Sequence, residues 1–119
     1  MTIPILKLKD ILLTSIQVNL TDREALDFQA DVLEMANRTE AKGLVMDITA
    51  LDVVDSFLAR VINDTANMVK LIGTETVICG MQPEVALTLM EMGRELVGVE
   101  AALNLEQGVE KLQRLIEER

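Results

Sequence analysis

The chain has 119 residues, enough for one domain with a hydrophobic core of its own. Half of these residues are hydrophobic and only two are aromatic, so the predicted core is aliphatic. With 20 acidic and 11 basic residues the net charge is −9, which argues against nucleic acid and anionic membranes as partners, because phosphate binding depends on lysine and arginine. The single cysteine, Cys79, excludes an internal disulfide. Together with the lack of a signal peptide or a long apolar run, it predicts a cytoplasmic protein.

The first predicted elements are a β-hairpin and a helix. The stretch "IPILKLKDILLTSIQVNL" is rich in β-forming residues, and Lys9 and Asp10 interrupt it as a tight turn between two short strands. Thr21 and Glu24 then form a capping-box pattern, which marks the start of a helix, and the apolar residues that follow have helical spacing. Gly43 is expected to end this connection.

A buried strand and a second helix come next. The segment "LVMDIT" (44–49) is a short apolar run of the kind found in central strands. The segment from Ser56 to Gly73 has one apolar face, typical of an amphipathic helix, and Gly73 is expected to stop it. The residues predicted to share the buried face are Leu58, Val61, Ile62, Thr65, Val69 and Ile72.

The rest of the sequence repeats this alternation. The segment "ETVICGM" predicts another buried strand, and Pro83 and Gly93 suit the first turn and the end of a third helix. Residues 94–103 have room for one more short strand. The segment "NLEQGVEKLQRLIEER" predicts a last amphipathic helix. Its inward residues are predicted to be Leu105, Val109, Leu112, Leu115 and Ile116. Strands alternating with helices indicate an α/β domain with a mostly parallel or mixed sheet, here one domain over residues 1–119.

Few residues of this sequence suggest catalysis. There is no histidine, which excludes Ser–His–Asp and Cys–His arrangements, and the scattered glycines match no phosphate-binding loop. Cys79 lies in an apolar strand, where a thiol is usually inert. Asp47, Asp52 and Asp55 cluster near the end of the predicted central strand, where they would hold Mg²⁺ in an acid-dependent enzyme. Alternatively, Asp52 and Asp55 shape a turn and cap a helix. The sequence otherwise predicts a protein that is not an enzyme and implies no cofactor.

Ser56 has two interpretations at the start of the predicted second helix. Serine and aspartate are both preferred N-caps, and loss of such a cap costs about 1 kcal/mol, so Ser56 could be purely structural. Alternatively, Ser56 is a phosphorylation site, because a helix N-terminus offers free N–H groups and the positive end of a dipole to a phosphate of charge roughly −1.5 to −2. Asp52 and Asp55 would oppose this charge. Phosphorylation is then expected to leave the fold intact and to alter the surface.

The stretch "DITALDVVDSFLARV" resembles the STAS domains, the family of anti-sigma-factor antagonists. In that family a hydrophobic strand ending in Asp is followed by a short loop and an Asp-Ser or Asp-Thr step that opens a helix. Together with "GMQPEVALTL" and "ALNLEQGVEKL", the chain is similar to the single-domain STAS proteins of the bacterial stressosome. The resemblance implies a single α/β STAS domain, with a central mixed sheet of about four or five strands flanked by about four helices.

The resemblance also implies a function and its partners. Ser56 falls on the serine that is phosphorylated in this family, and the protein would be a cytoplasmic scaffold that sequesters an RsbT-type serine kinase and releases it on phosphorylation. RsbR-type STAS paralogues would assemble with it into a homo- or hetero-oligomer, and a dedicated phosphatase would reset Ser56. Asp55, Phe57 and Arg60, which flank this serine, are the expected partner-binding residues.

One departure from the wider family leaves an alternative open. Antagonists that bind an anti-sigma factor directly usually continue Asp-Ser-Ser-Gly, whereas Phe57 and Leu58 follow Ser56 in this chain. This difference favours the stressosome branch of the family. The alternative is a direct antagonist that binds an anti-sigma-factor kinase in the dephosphorylated state.

Overall fold

The computed structural model describes residues 3–91 and 99–119. Within these residues the chain forms strands and helices in the predicted order. The strands are β1 (Ile5–Leu8), β2 (Ile11–Ser15), β3 (Gly43–Asp47), β4 (Glu75–Cys79) and β5 (Glu100–Ala102). The helices are α1 (Asp22–Thr39), α2 (Ser56–Leu71), α3 (Pro83–Glu91) and α4 (Leu105–Glu118). The predicted α/β class is confirmed, and the predicted helix end at Gly93 lies outside the described residues.

The five strands form one mixed sheet in the order β1-β2-β3-β4-β5. β1 pairs antiparallel with β2, and a left-handed φ of 55° at Lys9 makes the tight turn between them. From β2 to β5, each strand is parallel to its neighbour. The carboxyl ends of these four strands therefore share one edge of the sheet, and the loops that lead into the four helices begin there.

Helices cover both faces of the sheet. Successive residues of a strand point to opposite faces, so each central strand packs against helices on both sides. Leu44 and Met46 of β3 pack with residues of α1, α2 and α3 in the larger hydrophobic core. Val45, between them, packs with Leu112 of α4 in a smaller core on the other face. All three strand residues are fully buried, and each such side chain contributes about 1.5–3 kcal/mol by burial. Burial on both faces explains why the sequence of β3 is an uninterrupted apolar run.

Three predicted positions differ from the structure. Gly43 does not end the connection after α1, because Glu40 takes the left-handed C-cap conformation (φ 52°) and Gly43 is the first residue of β3. A Cβ at Gly43 would lie 2.6 Å from a methyl carbon of Leu112, so glycine at this position lets α4 pack onto the sheet. Ile72 and Leu105, predicted to point inward, are 45% and 43% exposed because each lies at the end of its helix.

Candidate functional site

The candidate site is the β3–α2 junction (residues 47–60), at the carboxyl edge of the sheet. Asp47 ends β3, and its Oδ1 accepts hydrogen bonds from the backbone N–H and the hydroxyl of Thr49, at 3.0 and 2.5 Å. Farther along the loop, Leu51 and Val54 are 0% and 3% exposed and anchor it to the larger core. The loop is therefore held in place at both of its ends.

The end of β4 supports this junction from the neighbouring strand. The backbone N–H of Ile48 donates to the carbonyl of Cys79 at 3.0 Å, and Gln82 Nε2 donates to the carbonyl of Thr49 at 2.8 Å. Gly80 has a φ of 76°, and a Cβ there would lie only 1.9 Å from Thr49 Oγ1. Glycine satisfies both the left-handed backbone and this close approach, so the position of the junction depends on it.

Asp55 is the N-cap of α2. Its backbone is extended (φ −81°, ψ 175°), and its Oδ1 accepts a hydrogen bond of 2.7 Å from the N–H of Leu58. Ser56 is the first helical residue, its side chain is exposed, and its hydroxyl has no hydrogen-bond partner in the described part of the chain. The interpretation of Asp55 as a cap is confirmed, and the interpretation of Ser56 as the cap is wrong.

The other residues expected to bind partners differ in exposure. Arg60 lies one turn after Ser56 and is exposed, so both residues are on the outer side of α2. Phe57 is half-buried because it packs against the larger core. The large apolar side chain that is exposed in this junction is that of Val53, at 64% exposure, which the sequence pattern did not single out. The sequence gives no signal that distinguishes it from its neighbour, because the buried Val54 lies between the same two acids, Asp52 and Asp55.

The structure does not bring Asp47, Asp52 and Asp55 together as a metal centre. The carboxylates of Asp47 and Asp55 accept hydrogen bonds from their own loop and helix, and Asp52 is an exposed loop residue. Within residues 3–91 and 99–119, no group of three or more acidic, histidine or cysteine side chains could hold a metal ion. The arrangement supports the simpler interpretation for Asp55, which caps a helix. The carboxylate that shapes the turn is that of Asp47, whereas Asp52 was predicted.

Two further expectations concern the cysteine and the membrane. Cys79 is fully buried, and burial, reinforced by the nearby Asp47 carboxylate, raises the pKa of its thiol to about 11. The thiol is therefore protonated at neutral pH, which agrees with a packing role. Among the helices of the described ranges, none combines the length and the apolar character that a bilayer crossing requires.

Comparison with known proteins identifies the family. The sequence model of the STAS domain matches residues 2–111. The chain belongs to the STAS domain family. Its structure is similar to that of a serine-to-glutamate variant of RsbS from Moorella thermoacetica, at 40% identity and a TM-score of 0.86 over 97% of both chains. It is also similar to a chain in the molecular architecture of the stressosome, at 42% identity and a TM-score of 0.82, covering 94% of this STAS domain and 97% of that chain.

The chain is also similar to curated proteins named as RsbT co-antagonists. The RsbT co-antagonist protein RsbRD of Bacillus subtilis (strain 168) is 32% identical over 74 residues, which is 62% of this chain. The match covers about a quarter of the length of such relatives, 27% of RsbRD and 24% of RsbRA. The resemblance to stressosome STAS proteins that the sequence motifs predicted is confirmed.

Proposed function

We propose that this STAS domain is a stressosome component that holds an RsbT-type serine kinase until Ser56 is phosphorylated. The observation that carries the proposal is that Asp55 caps α2 and leaves the Ser56 hydroxyl exposed, without a hydrogen bond to any described residue. A kinase can therefore reach this oxygen without breaking a structural contact. Similarity to RsbS and to RsbT co-antagonist proteins supports the choice of partner.

The sequence contains one other serine, and its setting is different. Ser15 is the last residue of β2 and half-buried, and its Oγ accepts a hydrogen bond from Gln17 Nε2. Of the two hydroxyls, that of Ser56 is the more accessible to an enzyme. In the proposed reaction the γ-phosphoryl group of ATP is transferred to Ser56 Oγ, the hydroxyl proton is removed by the kinase, and ADP leaves.

Phosphorylation is proposed to release the kinase by changing the surface of the junction. The phosphate adds a charge of roughly −1.5 to −2 beside Asp55, on a surface that also carries Asp52. Close like charges at an interface cost several kcal/mol, so a partner that is negative at this point would be expelled. Val53 supplies exposed apolar contact area, and Arg60 supplies a positive charge, for the complex that forms before phosphorylation.

The proposed partners include other STAS domains. RsbR-type paralogues are the expected neighbours in a cytoplasmic hetero-oligomer, because RsbRD and RsbRA match this chain and a chain of a stressosome shares its fold at 42% identity. A phosphatase acting on Ser56 would restore the kinase-binding state. The exposure of Ser56, which gives the kinase access to the hydroxyl, also gives the phosphatase access to the phosphate.

A phosphorylation assay with a mass readout tests the site. The chain is incubated with ATP and an RsbT-type kinase, and its intact mass and phosphopeptides are measured. We expect a single phosphate on Ser56, its loss in Ser56→Ala, and an unchanged yield in the matched control Ser15→Ala. A phosphate on another residue, or none at all, would show that Ser56 is not the switch.

A binding assay tests the release. Ser56→Ala should bind the kinase as the unmodified chain does and retain it when ATP is added, whereas Ser56→Asp should bind more weakly. If Ser56→Asp holds the kinase as tightly as the unmodified chain, the switch is not at this residue. Capture of an anti-sigma-factor kinase in place of the RsbT-type kinase would instead support the direct-antagonist alternative.

A further inference from the structure

The helices of the described structure begin with different charges. The first turns of α1, α3 and α4 each contain at least one acidic residue, which suits the positive end of a helix dipole. The first turn of α2 contains none. The first charged side chain along α2 is a cation, the exposed Arg60. α2 therefore lacks the first-turn acid of its companion helices, and its first charged residue, one turn after Ser56, is an arginine.

Arg60 has no carboxylate partner among the described residues. Asp55 and Asp64 are both close to it in sequence. Oδ1 of Asp55 accepts the N–H of Leu58 at 2.7 Å, which holds this carboxylate at the first turn, and it forms no ion pair with Arg60 in the described part of the chain. Asp64 follows Arg60 by one turn, and a cation that precedes an anion stabilises a helix less than the reverse order. The guanidinium group of Arg60 is thus available for another anion.

Ser56 and Arg60 are four residues apart, the spacing that places side chains side by side on a helix with Cβ atoms about 5–6 Å apart. Both side chains are exposed. We infer that Arg60 forms an ion pair with the phosphate of phosphorylated Ser56 across this turn of α2. The inference rests on the proposed function, which supplies the phosphate. A guanidinium group suits this role because it can donate two parallel hydrogen bonds to phosphate oxygens.

This ion pair adds a second component to the switch. Before phosphorylation Arg60 is free to pair with an acidic group of the bound kinase, and afterwards the phosphate occupies it. The kinase then loses an attractive contact at the moment when it meets a new negative charge. The helix stays intact, because the phosphate places negative charge in the first turn of α2, where the other helices carry an acid.

The ion pair can be tested without a kinase, by incorporating phosphoserine at position 56 during translation and titrating its phosphate by phosphorus-31 NMR. Because the pair stabilises the dianion, the phosphate should titrate a few tenths of a pH unit lower than in the Arg60→Gln variant. Arg60→Lys, which keeps the charge, should recover most of this difference. Lys70→Gln is the matched control, since it removes a positive charge from the same helix at about 21 Å from Ser56, beyond the screening length of about 10 Å at 0.1 M salt.

Equal shifts of the phosphate titration in Arg60→Gln and Lys70→Gln would show that no specific pair forms.

A second measurement tests the exchange of partners in the unphosphorylated chain. Arg60→Gln should weaken kinase binding several-fold and Lys70→Gln should leave it unchanged, whereas full binding by Arg60→Gln would refute the exchange. Failure of the kinase to phosphorylate Ser56 would contradict the proposed function. The NMR titration would still report on the ion pair, because its phosphoserine is incorporated during translation.

Discussion

The N-termini of α1 and α2 are capped in different ways. Thr21 and Glu24 cap α1 reciprocally, with the Thr21 hydroxyl accepting the N–H of Glu24 at 3.1 Å and the Glu24 carboxylate accepting the N–H of Thr21 at 3.0 Å. α2 has a single cap from Asp55, and the loop before it is held by residues that follow β4. The start of α1 is a local structure of four residues, whereas the start of α2 depends on a neighbouring strand.

This difference leaves the Ser56 hydroxyl without a structural role among the described residues, as the proposed phosphorylation requires. In α1 the Thr21 hydroxyl and the Glu24 carboxylate are both engaged in the capping box. In α2, Asp55 caps the helix, and the adjacent Ser56 makes no side-chain hydrogen bond to the described residues. Because the cap of α2 is Asp55 and the proposed phosphorylation site is Ser56, modification of the serine would leave the cap in place.

The largest expected effect comes from removing the support of the α2 junction. In Gly80→Ala the new Cβ would lie 1.9 Å from Thr49 Oγ1 on a backbone with φ 76°, so strain and steric overlap together should lower the free energy of unfolding by about 2–4 kcal/mol. Urea denaturation measures the loss. Hydrogen exchange localises it, with protection expected to fall at the Leu58 N–H and to remain at the Glu24 N–H.

Gly73 offers a matched control for this substitution. It also has a left-handed φ, of 95°, but a Cβ there would meet nothing within 4 Å. Gly73→Ala should therefore cost only the backbone strain, about 1 kcal/mol. If Gly73→Ala and Gly80→Ala destabilise the protein equally, the close approach to Thr49 does not support the junction.

Removing the caps tests whether Asp55 carries the structural role at α2. Asp55→Ala and Thr21→Ala should each lower the free energy of unfolding by about 1 kcal/mol, because each leaves an N–H of the first helical turn without its side-chain acceptor. Chemical denaturation of the two variants gives the comparison. A negligible loss in Asp55→Ala would contradict its assignment as the cap.

Local patterns in the sequence were sufficient where the structure is local. The capping box of α1 and the hairpin turn at Lys9 each depend on residues within a few positions of one another, and both were predicted. Gly43 was assigned to the wrong role, because the reason for a glycine there is Leu112, which reaches it only in the folded chain.

The start of α2 shows the same limit at the candidate site. Asp55 and Ser56 are both good caps at adjacent positions, so their residue types could not decide between them. The choice depends on the loop backbone, which the buried Leu51 and Val54 fix. The exposure of Val53 follows from the same packing, and no periodic pattern in a short loop reveals it.

Acid should affect the start of α1 through Glu24. Hydrogen bonds from the backbone and side chain of Thr21 lower the pKa of the Glu24 carboxyl from its ordinary value of 4.5. A carboxyl whose pKa is lowered by folding stabilises the protein fully above its unfolded pKa, and this contribution is lost as the pH falls through the folded value. Glu24→Gln can keep the capping hydrogen bond without the charge. The stability difference between the two chains should therefore be constant near neutral pH and shrink below pH 4.5, and a constant difference down to pH 2 would contradict the assignment.

The smallest expected effect is that of Ser56→Ala, and it completes the comparison with Asp55. The side chain of Ser56 is exposed and makes no hydrogen bond to the described residues, so its removal should change the free energy of unfolding by no more than about 0.5 kcal/mol. Thermal or chemical denaturation of Ser56→Ala and Asp55→Ala under the same conditions measures the two losses. A loss in Ser56→Ala as large as that in Asp55→Ala would mean that the hydroxyl also supports the helix, and phosphorylation would then disturb the fold. A loss near zero would mean that the oxygen proposed for phosphorylation and the oxygen that caps the helix belong to adjacent residues. A phosphate on Ser56 would then change the charge of the junction and keep its shape.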